Sequence, residues 1–159
     1  MNDSLLSASD AQTMAVVGDY LARGGSLAEA SDISAETLEA VYELAYLKYN
    51  NGQFSQAARL FQFLCLYNQW NPRFFTGLGA CQQMLSLYGD AIDTYLYAVS
   101  LGGNDPHPMI YVGDCYAALH EHSKAALAYR AAALMASDAG MTSPYINRVD
   151  TIVQELSEH

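Results

Sequence analysis

A period of 34 residues runs through this chain and constrains its fold more tightly than any other feature. Ala57, Ala91 and Ala125 fall in register, as do Phe61, Tyr95 and Tyr129. The same step relates Leu44, Leu78 and Val112, then Ala45, Gly79 and Gly113, then Leu64, Ala98 and Ala132, and also Phe54, Tyr88 and His122. Self-similarity at such a period marks stacked supersecondary units, none of which can bury its apolar face alone. The columns read as helix pairs. The small residues at 45, 79 and 113 let two antiparallel helices approach closely, the alanines of the second helix do the same, and the aromatic column fills the space beside them.

Capping chemistry sets the helix starts. Asn71 and Asp105 are good caps, each followed by a proline suited to the first helical position. Ser143-Pro144 repeats the signal. The pattern predicts helices over 38–50 and 54–67, 72–85 and 88–101, and 106–119 and 122–136, with a last helix over 144–157. The expected architecture is all-α and a single domain: repeats at 38–70, 72–104 and 106–138, an N-terminal helical arm at 10–36 and a C-terminal capping helix. Residues 10–23 place Met14, Val17 and Leu21 on one side of a helix, and Gly24-Gly25 stops it. Ser26 and Glu29 form a capping box, and Ser34 caps the helix after it. The arm reads as a cap on the stack or as a dimerisation element.

Composition excludes several function classes. Among 159 residues, 17 acids against 7 bases leave a formal net charge of -10, which repels nucleic acid and anionic lipid. Apolar residues make up 52% of the chain and charged ones 15%, so apolar surface is plentiful and favours a protein-binding face. No apolar run approaches the roughly 20 residues of a membrane helix, and the start of the sequence does not read as a secretory signal. Cys65, Cys81 and Cys115 are odd in number and have apolar neighbours, which suits a reducing compartment. Cys115, His120 and His122, with Asp114 near them, invite a metal reading. However, Cys115 shares a repeat position with Cys81, and His122 shares one with Phe54 and Tyr88, so packing accounts for both. No phosphate loop, nucleophile elbow or paired metal-binding histidines are present. The expectation is therefore a non-enzyme with no cofactor and no metal.

The period and its small, alanine and aromatic positions resemble the tetratricopeptide repeat. That resemblance implies a curved solenoid whose first helices line a concave groove. In the first repeat, helical spacing puts Tyr42, Tyr46 and Tyr49 on one face with Asn50 beside them, while Leu44 and Ala45 take the packing face. The matching positions are Thr76, Ala80 and Gln83 in the second repeat, and Ile110, Asp114 and Ala117 in the third. Tyrosines make walls with polar tips, small residues leave hollows, and Gln83 and Asn50 can bond a peptide backbone. Two or three buried anchors, each worth about 1.5–3 kcal/mol, less the cost of ordering a peptide, give an affinity of roughly micromolar. A tyrosine stripe at this spacing also serves as plain core, and Thr76, Gln83 and Asp114 also suit plain solvated surface.

More specific segments are GGSLAEASDIS, LEAVYELAYLKYNNGQFSQAARLFQFLCLYNQWNPRFFTGLGACQQ and YGDAIDTYLYAVSL. They resemble the class II chaperones of bacterial type III secretion, over about 20–136. The resemblance implies a cytoplasmic chaperone that keeps hydrophobic translocator proteins soluble and apart. An extended client segment would lie in the groove against Tyr42, Tyr46, Tyr49 and Ala80. It also implies homodimers formed through the N-terminal region, and neither a cofactor nor ATP. The third repeat, HEHSKAALAYRAAALMAS, departs from the pattern by carrying histidines where glycine and an aromatic are usual. The alternative reading is an adaptor that holds one partner permanently. The register itself is testable. Ala91→Glu buries a charge at a close helix contact and is expected to cost about 3 kcal/mol or more; an unchanged melting temperature would contradict the register.

Overall fold

The computed structural model describes residues 33–140 and 144–158. Among these are seven helices and no strand: α1 Ala35–Asn50, α2 Phe54–Tyr67, α3 Pro72–Met84, α4 Tyr88–Ser100, α5 His107–Ala118, α6 His122–Asp138 and α7 Pro144–Ser157. Residues 10–32 of the expected 10–36 arm, with the capping box, and the cap Ser143 lie outside the described residues; the end of that span, Ala35 and Glu36, belongs to α1.

The chain divides into two compact units, Met1–Trp70 and Asn71–His159. In the first, α1 packs on α2. Ser34 begins α1 as expected, its Oγ accepting from the Thr37 N–H at 3.1 Å. Val41, Leu44 and Ala45 of α1 are buried with Ala57, Leu60, Phe61 and Leu64 of α2. The Tyr67 hydroxyl donates to the Ile33 carbonyl at 3.0 Å, tying the end of α2 to the entry of α1. In the second unit, each helix from α3 to α7 packs on the next. Ala91, Ile92 and Tyr95 of α4 are buried with Val112 and Cys115 of α5 and Ala128 of α6. Ala125 and Tyr129 of α6 form a further cluster, against which Ile152 and Val153 of α7 pack.

Within the second unit the small column and the aromatic column meet directly. A Cβ built on Gly79 would lie 2.7 Å from the Tyr95 ring, and one on Gly113 would lie 2.5 Å from the Tyr129 ring. Each ring therefore rests on the bare backbone of the preceding helix. Asn71 accepts from the Arg73 N–H at 3.1 Å, with Pro72 as the first helical residue. Asp105 makes the same bond to the His107 N–H at 3.0 Å. There Pro106 is the cap and α5 starts at His107, one residue later than the spacing predicts.

The turn inside each pair is the same hydrogen-bonded motif three times. Gly52, Ser86 and His120 donate to the carbonyls of Tyr49, Gln83 and Ala117. The next residues, Gln53, Leu87 and Glu121, reach back to Lys48, Gln82 and Tyr116. Such a helix end needs a left-handed residue, and Gly52 (φ 75°), Ser86 (φ 61°) and His120 (φ 61°) supply it. A side chain there costs about 1–2 kcal/mol, against about 0.5–1 kcal/mol for the extra freedom of glycine in the unfolded chain. Ser86→Gly is expected to stabilise the fold by about 0.5–1 kcal/mol, read as a higher melting temperature, and Gly52→Ala to lower it.

Candidate functional site

The three tyrosines of α1 are held by α2 without being enclosed. Tyr42 and Tyr46 meet edge-on, their ring centroids 4.9 Å apart. Both also stand edge-on to the buried Phe61, at 6.0 and 5.5 Å. Tyr49 meets Phe54 in the same manner at 5.3 Å. Edge-to-face contacts of this kind fix ring orientation and contribute about 0.5–1.5 kcal/mol each. Tyr46 nevertheless keeps 37% of its surface exposed, Tyr42 and Tyr49 are half-buried, and Asn50 is exposed. Each ring thus packs an edge on Phe61 or Phe54 while part of its surface stays accessible.

In the second unit the predicted residues sit at the rim of the core. Thr76, Ala80, Gln83, Ile110, Asp114 and Ala117 are all half-buried. Thr76 returns its hydroxyl to the Pro72 carbonyl at 2.9 Å. Ile110 and Ala117 pack against Ala125 and Tyr129. The polar pair is tied to the aromatic column from beneath: the Tyr95 hydroxyl donates to Gln83 Oε1 at 2.9 Å, and the Tyr129 hydroxyl donates to Asp114 Oδ1 at 2.6 Å. Burial, with the bond to Asp114, pushes the Tyr129 phenol above its usual range. These two bonds escaped the sequence reading, although a signal for them was present. The aromatic column changes from Phe61 to tyrosine at 95 and 129, in the two repeats whose first helices carry Gln83 and Asp114. So the second unit offers the amide of Gln83 and the outer carboxylate oxygen of Asp114, each fixed in position.

The metal-reading residues face different environments. Cys115 is fully buried, whereas His120 and His122 are exposed, their rings 6.2 Å apart. Burial raises all three thiols from 9.0, Cys65 and Cys81 to about 12 and Cys115 to about 11, the last helped by Asp114. Protonated, buried sulfur is a poor nucleophile and a poor metal ligand. No helix among the described residues is long and apolar enough to cross a membrane.

Paired helices on a 34-residue period, with small residues seated against aromatic rings, define a tetratricopeptide-repeat protein. The tetratricopeptide repeat family matches residues 38–71. Beyond this class, the chain belongs to the family of tetratricopeptide-repeat chaperones of type III secretion translocators. It is 30% identical to the chaperone protein SicA of Salmonella typhimurium over 74% of this chain and 71% of that one. It is 36% identical to the low calcium response locus protein H of Yersinia pestis over 60% of this chain. That match spans little more than half of the relative's length, 57%. Among solved structures, a type III secretion complex from Aeromonas hydrophila superposes with a TM-score of 0.75 at 30% identity, over 91% of this chain and 96% of that one. The Yersinia enterocolitica chaperone SycD, in complex with a peptide of the translocator YopD, gives 0.73 at 28% identity, over 79% and 96%. The same chaperone solved as an alternative dimer gives the same values.

The raised thiols set a pH dependence. Each keeps its proton in the fold to a higher pH than in the unfolded chain. Above about pH 9 the unfolded state therefore binds fewer protons, and stability falls as pH rises toward the folded values. Denaturation midpoints are expected to hold steady up to about pH 8.5 and then decline, by at most about 1.4 kcal/mol per pH unit for each thiol. Cys81→Ala should make the decline shallower.

Proposed function

We propose that this chain is a non-catalytic chaperone of the bacterial cytoplasm that binds hydrophobic translocator proteins of a type III secretion system and keeps them soluble before export. The observation that carries this reading is the tyrosine face of α1. Tyr42, Tyr46 and Tyr49 are oriented by Phe61 and Phe54, yet Tyr46 remains 37% exposed. Oriented phenols that stay partly exposed suit apolar side chains of an extended segment, because little ring freedom remains to be lost on binding. Asn50, exposed at the end of α1, would bond the segment's backbone. The segment also contacts Thr76, Ala80 and Gln83 of α3, and Ile110, Asp114 and Ala117 of α5. The names of the relatives support the client class: SycD carries a translocator peptide, and the Pseudomonas chaperone PcrH is seen with the chaperone-binding regions of PopD and PopB. The alternative dimer of SycD supports self-association of this chain as a homodimer, which we assign to its N-terminal region. The reading requires no cofactor, nucleic acid or membrane, and no catalytic step.

The test is the double variant Tyr46→Ala with Tyr49→Ala. Calorimetric titration with the chaperone-binding segment of a translocator from the same secretion system should show binding weakened by about ten-fold or more. Circular dichroism should show unchanged helix content, with stability lower by about 1 kcal/mol for each lost ring contact. Full retention of affinity would remove α1 from the client site.

A further inference from the structure

Two side chains accept the hydroxyls of the tyrosine seams, and only one of them carries a charge. Gln83 Oε1 accepts from Tyr95 at 2.9 Å, and Asp114 Oδ1 accepts from Tyr129 at 2.6 Å. A neutral amide therefore suffices to satisfy a seam hydroxyl, and the seam does not require the carboxylate at 114. Stacking does not require it either, since the two preceding repeats have Tyr46 and Ala80 at that position.

The surroundings make the charge unfavourable by itself. Asp114 is half-buried. Ile110 and Ala117, one turn before it and one turn after it on α5, are apolar and pack against Ala125 and Tyr129. Drawing a carboxylate partly out of water costs free energy unless a counter-charge meets it. Among the described residues the chain supplies none. Neither α4 nor α5 carries a lysine or arginine, and His107 of α5 is bonded to Asp105. Lys124 of α6 is bonded to Glu121, and neither Arg73 of α3 nor Arg130 of α6 forms an ion pair with Asp114. The bond from Tyr129 commits Oδ1 and leaves Oδ2 without a hydrogen-bond partner among the described residues.

We propose that Asp114 is a specificity residue of the client site, selecting a translocator segment that carries a lysine or arginine where it crosses α5. This inference rests on the client reading above and adds the chemistry of one position. The occupant is the client because chaperones similar to this chain are seen holding translocator segments. The cation's aliphatic stem lies along Ile110 and Ala117, and its charged end meets Oδ2. Apolar neighbours strengthen such a pair relative to one in open water, and a net charge of -10 favours the approach of a basic segment. A backbone N–H needs only an acceptor, which an amide would offer without the cost of a charge.

The test is a double-mutant cycle, read by calorimetric titration of the full chain with the chaperone-binding segment of a translocator from the same secretion system. Asp114→Asn removes the charge and keeps an oxygen for the Tyr129 hydroxyl, so the melting temperature should hold. Each lysine or arginine of the segment is replaced in turn by norleucine. Asp114→Asn should weaken binding of the native segment about five- to ten-fold. One norleucine segment should lose as much against the wild type and nothing further against Asp114→Asn. Tyr46→Ala with Tyr49→Ala should weaken every segment by the same factor and leave that coupling intact. The proposal is overturned if Asp114→Asn binds the native segment as the wild type does. A loss that is the same for every norleucine segment, the mark of a backbone contact, also overturns it, as does a binding segment that contains no lysine or arginine. Those three results leave the client reading standing, whereas a wild type that binds no segment at all overturns both.

Discussion

The second unit depends on the contact between an aromatic ring and a helix backbone that has no side chain to hold it away. Tyr95 lies on Gly79 and Tyr129 on Gly113, close enough that a single added carbon would overlap the ring. That approach brings α3 to α4 and α5 to α6 at a spacing larger residues would forbid, and overpacking such a seam typically costs 1–3 kcal/mol. Ala45 takes the same column in the first unit, where it is fully buried and the ring is Phe61. Because the ring column sits directly behind the outward-facing positions of the first helices, what it carries at its tip decides what those positions become.

In the first pair the tip is a bare phenylalanine edge. Tyr42 and Tyr46 close over it and form an aromatic surface. In the second and third pairs the tip is a hydroxyl, and it captures Gln83 or Asp114. The column thus goes with two kinds of surface: apolar with phenol tips in the first unit, fixed polar groups in the second.

The architecture was legible because the repeat places the same physical demands at fixed intervals. Asn71-Pro72 gave the start of α3 correctly, and Ser34 gave the start of α1. Asp105-Pro106 carries the same signal and the same capping bond, but α5 starts one residue on, at His107. That Tyr42, Tyr46 and Tyr49 lie off the buried face of α1 was readable from helical spacing, because Leu44 and Ala45 already take that face. The tethering of Gln83 and Asp114 was not read, because it depends on a donor 12 or 15 residues away on a different helix. Spacing within one helix carries no information about that donor. The left-handed Ser86 and His120 were likewise hidden, since neither residue type advertises the conformation that Gly52 does.

The bond from Tyr129 to Asp114 has a mechanical consequence. The carboxylate is joined, through one hydroxyl, to a ring wedged against Gly113 and clustered with Ala125. Asp114 thus belongs to the seam as much as to the surface, and an apolar substitution there would strip a largely buried hydroxyl of its acceptor.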